Sequence, residues 1–149
     1  MAPEPVPNDA PVILLAVLKD IHNLGVIVLR HAIASAGFRV VNAGAMLSQE
    51  EIVAGAIETG AKAILVSSSY GMAALDADGL RGKCDEAGLR GIVLYIGGNL
   101  SVTQQSRIWE EIEAEFSALG FDRAYPQNVR PDQVVSDLRR DLAVATTGS

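Results

Sequence analysis

Val12-Ile13-Leu14-Leu15-Ala16-Val17-Leu18 decides the fold. Seven apolar residues in succession show no alternation, so they describe a strand buried on both faces, as in a parallel sheet covered by helices. The run stops abruptly at Lys19-Asp20-Ile21-His22-Asn23-Leu24-Gly25, where polar groups and a glycine replace it. Open α/β sheets bind ligands at the carboxyl ends of their strands, near the point where strand order reverses. The same junction therefore carries the strongest fold signal and the first candidate site.

Outward from it, the chain alternates strands and helices without an internal linker. Phe38–Asn42 reads as a second strand, Ala63–Val66 as a third, Ile92–Ile96 as a fourth and Arg123–Tyr125 as a short fifth. A first helix is expected over about Gly25–Ala36, stopped by Gly37. Ser48-Gln49-Glu50-Glu51 is a capping box, with serine at the cap and glutamate three residues on. It opens a helix to about Thr59, stopped by Gly60. Further helices are expected over Asp76–Ala87, Ile108–Leu119 and Pro131–Leu142, the last opening on a proline whose fixed φ suits a helix start. Strands alternating with helices of this length imply a doubly wound, five-stranded parallel sheet of the flavodoxin-like or Rossmann-like class. Residues 1–11 carry four prolines and little to bury, so they are expected to form a flexible leader; residues 12–143 form the domain and 144–149 a disordered tail.

Composition excludes several function classes. Twelve Lys and Arg against eighteen Asp and Glu give 149 residues a net charge of −6, unsuited to a nucleic-acid footprint. No apolar stretch reaches the ~20 residues that span a bilayer, and the amino terminus lacks the pattern of a signal peptide. Cys84 is the single cysteine, so there is neither a disulfide framework nor a thiolate cage. A cytoplasmic setting is expected.

In a flavodoxin-like sheet the ends of strands one, three and four converge. They hold Asp20–Gly25, Ser67-Ser68-Ser69-Tyr70-Gly71 and Gly97-Gly98-Asn99. Each has an ordinary explanation alone: Asp20 as a helix cap, His22 as a loop histidine, Gly97-Gly98 as a turn, the serines as backbone partners. Their joint position on one rim argues otherwise. An imidazole steadied by a carboxylate is a good metal ligand. One His and one Asp are too few for a free ion, but suffice to supply an axial ligand to a metal held in a macrocycle. A phosphoryl-receiving regulator would need an aspartate where Ser67 stands, and a flavodoxin a hydroxyl-rich loop where Lys19–Leu24 stands. His31 and the Asp76, Asp78, Asp85 and Glu86 set read as solvated; Cys84, Trp109 and Phe116 read as packing residues.

Asp20, His22 and Gly25, followed by Ser67 and by Gly97-Gly98, resemble the D-x-H-x-x-G, S-x-L and G-G pattern of cobalamin-binding domains. From Val12 to Leu142 the chain is similar to the small (sigma) subunits of glutamate mutase, also called methylaspartate mutase. Gly37–Asn42, Ala56–Thr59, Lys83–Leu89, Gly97–Asn99 and Leu119–Arg123 carry that likeness. The resemblance implies that His22 ligates cobalt from the lower face, in place of the cofactor's own dimethylbenzimidazole, and that Asp20 bonds the far nitrogen of His22. It implies a slot for the displaced nucleotide tail, lined by Gly25, Gly97 and Gly98, with Ser67 bonding the base. Lys19, Ile21, Asn23, Ser68, Ser69, Asn99, Leu100, Ser101 and Val102 would contact the corrin or the tail. Ser69 stands where the family has leucine, Thr103 where it has glycine, and Lys19 where a small residue is usual.

The implied activity is that of an isomerase. The chain would carry adenosylcobalamin for a radical interconversion of L-glutamate and (2S,3S)-3-methylaspartate, with catalytic residues and the amino-acid substrate on a separate barrel (epsilon) subunit, two copies of each chain in the assembly. The alternative is a stand-alone corrinoid carrier or sensor. Methyl-carrying relatives typically place a helical bundle ahead of this domain, and eleven residues precede Val12 here.

Overall fold

The computed structural model describes residues 10–18, 24–68, 77–98, 109–126 and 129–147. Strands β1 (Val12–Leu18), β2 (Arg39–Leu47), β3 (Ala63–Ser68), β4 (Val93–Gly98) and β5 (Arg123–Tyr125) form one sheet in the order β2-β1-β3-β4-β5. Every neighbouring pair is parallel. Helices α1 (Leu24–Ser35), α2 (Gln49–Thr59), α3 (Leu80–Glu86), α4 (Trp109–Ala118) and α5 (Pro131–Thr147) join and cover the strands. This is the doubly wound, flavodoxin-like order expected from the apolar runs.

Side chains of successive strand residues point to opposite faces, so each unbroken run feeds two cores. Leu14, Ala16, Ile64, Val66, Leu94 and Ile96 meet Ile52 and Val53 of α2, Leu80 and Cys84 of α3, and Ile112 and Phe116 of α4. Ile13, Leu15, Val17, Leu65, Val93, Tyr95 and Tyr125 meet Ile33 of α1 and Val134, Val135, Leu138 and Leu142 of α5. No helix among the described residues is long and apolar enough to cross a membrane.

The capping box forms as read: Glu51 N–H donates to Ser48 Oγ at 3.1 Å, and Ser48 N–H donates to a Glu51 carboxylate oxygen at 3.0 Å. Trp109 and Phe116 pack in the core, Phe116 edge-on to Phe121. His31 is exposed on α1.

Four boundaries differ from expectation. β2 continues past Asn42 to Leu47, because its register against β1 shifts twice and Gly44 N–H finds the Asn42 side-chain oxygen at 2.9 Å. An irregular edge strand hides its length from a strict period-two reading. The helix expected over Asp76–Ala87 is interrupted: Ala77 is helical, Gly79 adopts φ +92°, and α3 then runs over Leu80–Glu86, while Asp76 lies outside the described residues. α5 runs to Thr147, beyond the expected Leu142, and takes in Thr146 and Thr147. Ala10, placed in the leader, is buried, and its carbonyl accepts from Arg39 Nε at 2.7 Å.

At the amino-terminal end of the sheet, Arg81 ties α3 to the start of β5. It donates to the carbonyls of Gly120 (2.8 Å) and Ile92 (2.9 Å) and to Asp122 Oδ2 (3.0 Å). Gly120 has φ +100°, and a Cβ there would lie 2.6 Å from Arg81 Cβ. Glycine is required on both counts.

Candidate functional site

The carboxyl ends of β1, β3 and β4 are level with one another. Val17 pairs with Ser67, Ser67 with Gly97, and Gly97 with Tyr125. Strand alternation puts Ser67 two residues beyond Leu65 and Gly97 two beyond Tyr95, on the sheet face that α1 and α5 cover. Leu65 and Tyr95 are buried, whereas the next inward-facing positions hold only a hydroxymethyl group and a hydrogen, both half-buried. The layer thus loses its side-chain bulk at the rim.

Gly97 is informative because nothing among the described residues demands it. It is absent from the positive-φ glycines. An added Cβ would sit 3.6 Å from Tyr125 Cβ and 3.8 Å from Tyr125 O, ordinary van der Waals contact. A rim glycine that its φ does not require and no described neighbour crowds fits the close approach of another group. Among the described residues nothing pairs with the Ser67 hydroxyl.

A polar cluster lies directly behind these positions. Tyr125 Oη donates to Asp137 Oδ2 at 2.7 Å, and Gln133 Nε2 donates to Asp137 Oδ1 at 3.1 Å. Tyr95 Oη donates to Asp141. Arg123 grips both oxygens of Asp141, Nε at 2.7 Å and Nη2 at 3.0 Å, and its Nη1 lies 3.8 Å from Asp137. Burial first, and then the bonds to carboxylates, push both tyrosines above their ordinary pKa. The Arg123 guanidinium holds Asp141 below the usual carboxylate range, against its partial burial. The two hydroxyls are therefore fixed donors and Asp141 a fixed acceptor at neutral pH.

The B12 binding domain family matches residues 10–139 of the chain. The chain is 45% identical over 133 residues to the glutamate mutase sigma subunit of Clostridium tetanomorphum, spanning 89% of this chain and 96% of that one. It is 44% identical over 137 residues to the sigma subunit of Carboxydothermus hydrogenoformans, spanning 92% and 98%. This chain belongs to the B12-binding domains and, within them, to the glutamate mutase sigma subunits. A crystal structure of a cobalamin-binding protein from Desulfitobacterium hafniense DCB-2 superposes with a TM-score of 0.71 at 20% identity, covering 89% of this chain and 60% of that one, a likeness of fold.

Set against the sigma-subunit pattern, Gly25 falls in the first turn of α1, Ser67 and Ser68 end β3, and Gly97 and Gly98 end β4 in register with them. Lys19, Asp20, Ile21, His22, Asn23, Ser69, Asn99, Leu100, Ser101 and Val102 lie outside the described residues, as does Thr103. Among the described residues there is no group of three His, Cys, Asp or Glu able to hold a metal ion by itself. Small residues on a covered sheet face leave room for a flat group such as the benzimidazole base of cobalamin, so the described part of the site fits that cofactor.

Reading the sequence for motifs missed Tyr95, Arg123, Tyr125, Gln133, Asp137 and Asp141. A signal was present: Asp137 and Asp141 are four apart, on the flank of the apolar stripe formed by Val134, Leu138 and Leu142. Carboxylates on an inward helix face require partners. A hollow lined by Arg81, Gly91, Ile92, Ser117, Gly120, Phe121 and Asp122 lies at the opposite, amino-terminal side of the sheet, where Arg81 is already occupied by its three bonds.

Proposed function

We propose that this chain is the cobalamin-carrying component of an adenosylcobalamin-dependent carbon-skeleton mutase that interconverts L-glutamate and (2S,3S)-3-methylaspartate. The observation that supports it best is the sigma-subunit identity across nearly the whole chain, joined to a rim glycine that no described residue requires. When bound, adenosylcobalamin supplies radical chemistry through its cobalt–carbon bond.

The chain's own residues bind and orient. His22 would donate an imidazole nitrogen to cobalt, and Asp20 would hold the proton on the other nitrogen, fixing the tautomer. Gly25, Gly97 and Gly98 would leave room for the nucleotide arm, Ser67 would bond its base, and Ser68, Ser69 and Asn99–Val102 would contact the arm or the corrin. Lys19, Ile21 and Asn23 would offer backbone to the corrin edge. A domain this small provides one wall of a reaction chamber, and radical chemistry needs a chamber closed to water. The other wall would be a separate barrel subunit that binds the amino acid, two copies of each chain forming the assembly. The setting would be cytoplasmic.

Mixing this chain with the barrel subunit, adenosylcobalamin and L-glutamate is expected to yield 3-methylaspartate, with neither protein active alone. Cobalamin binding without turnover beside an active barrel subunit would instead favour a corrinoid carrier or sensor.

A further inference from the structure

We propose that Asp141 and Arg123 are positioning residues for the cofactor slot: with Asp137 they lock Tyr95 and Tyr125 into a rigid floor behind Ser67 and Gly97, against which the nucleotide arm of cobalamin is received. The proposal rests on the cobalamin function given above. Tyr95 precedes Gly97 by one step on the same sheet face, and Tyr125 is the register partner of Gly97. The two rings meet edge to face, centroids 5.5 Å apart at 72°. Any group that enters beside Gly97 passes within reach of Tyr125, whose Cβ lies 3.6 Å from the space a side chain at 97 would take.

Each ring is held at its far end by a separate carboxylate of α5, and Arg123 links those carboxylates. Neither ring can slide along the sheet without breaking a charge-assisted bond, the stronger class of hydrogen bond. Asp137 is 3% exposed. Arg123 and Asp141 are half-buried beside it, and together the three charges fix the positions of both rings. Those positions set the depth of the layer under the rim. A preordered floor spares the cost of ordering side chains when a ligand arrives.

The test compares two ligands that share a corrin ring: cobalamin, and cobinamide, which lacks the nucleotide arm. Asp141→Asn keeps the shape of the side chain and removes its charge; Tyr95→Phe removes one oxygen and serves if the first variant folds poorly. Binding of both ligands to the full chain is followed by the change in the corrin absorption spectrum. The expected result is an about tenfold weaker affinity for cobalamin, equivalent to ~1.4 kcal/mol, with cobinamide affinity unchanged. Equal losses for both ligands, or no loss for either, overturn the proposal and leave the cobalamin function standing. A native chain that binds neither ligand overturns both together.

Discussion

Replacing Gly97 by alanine should make the empty chain no less stable while making it a poorer binder. In the folded chain the new methyl group would lie 3.6 Å from Tyr125 Cβ and 3.8 Å from Tyr125 O, contacts that need no adjustment. The backbone at 97 does not use the left-handed region. The usual entropic penalty of glycine in a strand is then relieved, which favours alanine by about 0.5–1 kcal/mol. For a domain of this size that raises the melting temperature by roughly 2–4 °C at most. In the occupied site the same methyl group would stand where the nucleotide arm approaches the sheet. Inserting a methyl into a filled space costs about 1–3 kcal/mol, or roughly five- to 150-fold in affinity. Thermal melting of the empty chain and titration with cobalamin measure the two effects separately, and valine at the same position should deepen the binding loss. A clear drop in melting temperature would show that Gly97 serves internal packing. Unchanged affinity would show that no ligand atom passes the rim of β4.

Other perturbations separate the fold from the site. Gly120→Ala combines a strained φ of +100° with a 2.6 Å approach to Arg81 Cβ, and should destabilise by about 2–4 kcal/mol in denaturant unfolding; a loss below ~0.5 kcal/mol would mean that Arg81 yields freely. The carboxyl of Asp141 is lowered in the folded chain by Arg123, so the stability it adds is complete above its unfolded value of ~3.9 and is lost as pH falls toward the folded value. Acid unfolding of Asp141→Asn should therefore be less steep below pH ~4 than that of the native chain, and parallel curves would contradict the assignment. Burial pushes the Cys84 thiol up despite nearby Arg81, so it should resist a thiol reagent in the native chain at pH ~8 and react on unfolding; rapid native labelling would show that α3 opens.

Much of this architecture is readable from residues close in sequence. The unbroken runs at Val12–Leu18 and Ile92–Ile96 fix buried parallel strands, and Ser48 with Glu51 fixes the start of α2. These signals are local, governed by period and by caps. What stayed hidden depends on partners distant in the chain. Nothing near Asn42 reveals that β2 continues to Leu47, because its length is set by shifted pairing with β1. Nothing in the pattern around Leu80 reveals that Gly79 takes a left-handed turn between Ala77 and α3. The cluster of Tyr95, Arg123, Tyr125, Asp137 and Asp141 joins β4, β5 and α5, and no short motif announces it. The rim residues Ser67 and Gly97 were legible by contrast, since the topology alone carries the ends of β3 and β4 to one edge.

Cobalt coordination tests the central proposal most directly. With the chain loaded with cob(II)alamin and its histidines isotopically labelled at nitrogen, spin resonance should show cobalt coupled to a labelled imidazole, and His22→Gly should abolish that coupling. Affinity should also weaken below the free histidine value of ~6.5, where the imidazole takes up a proton. Coupling to the cofactor's own unlabelled dimethylbenzimidazole, or a labelled signal that survives His22→Gly, would contradict ligation by this histidine.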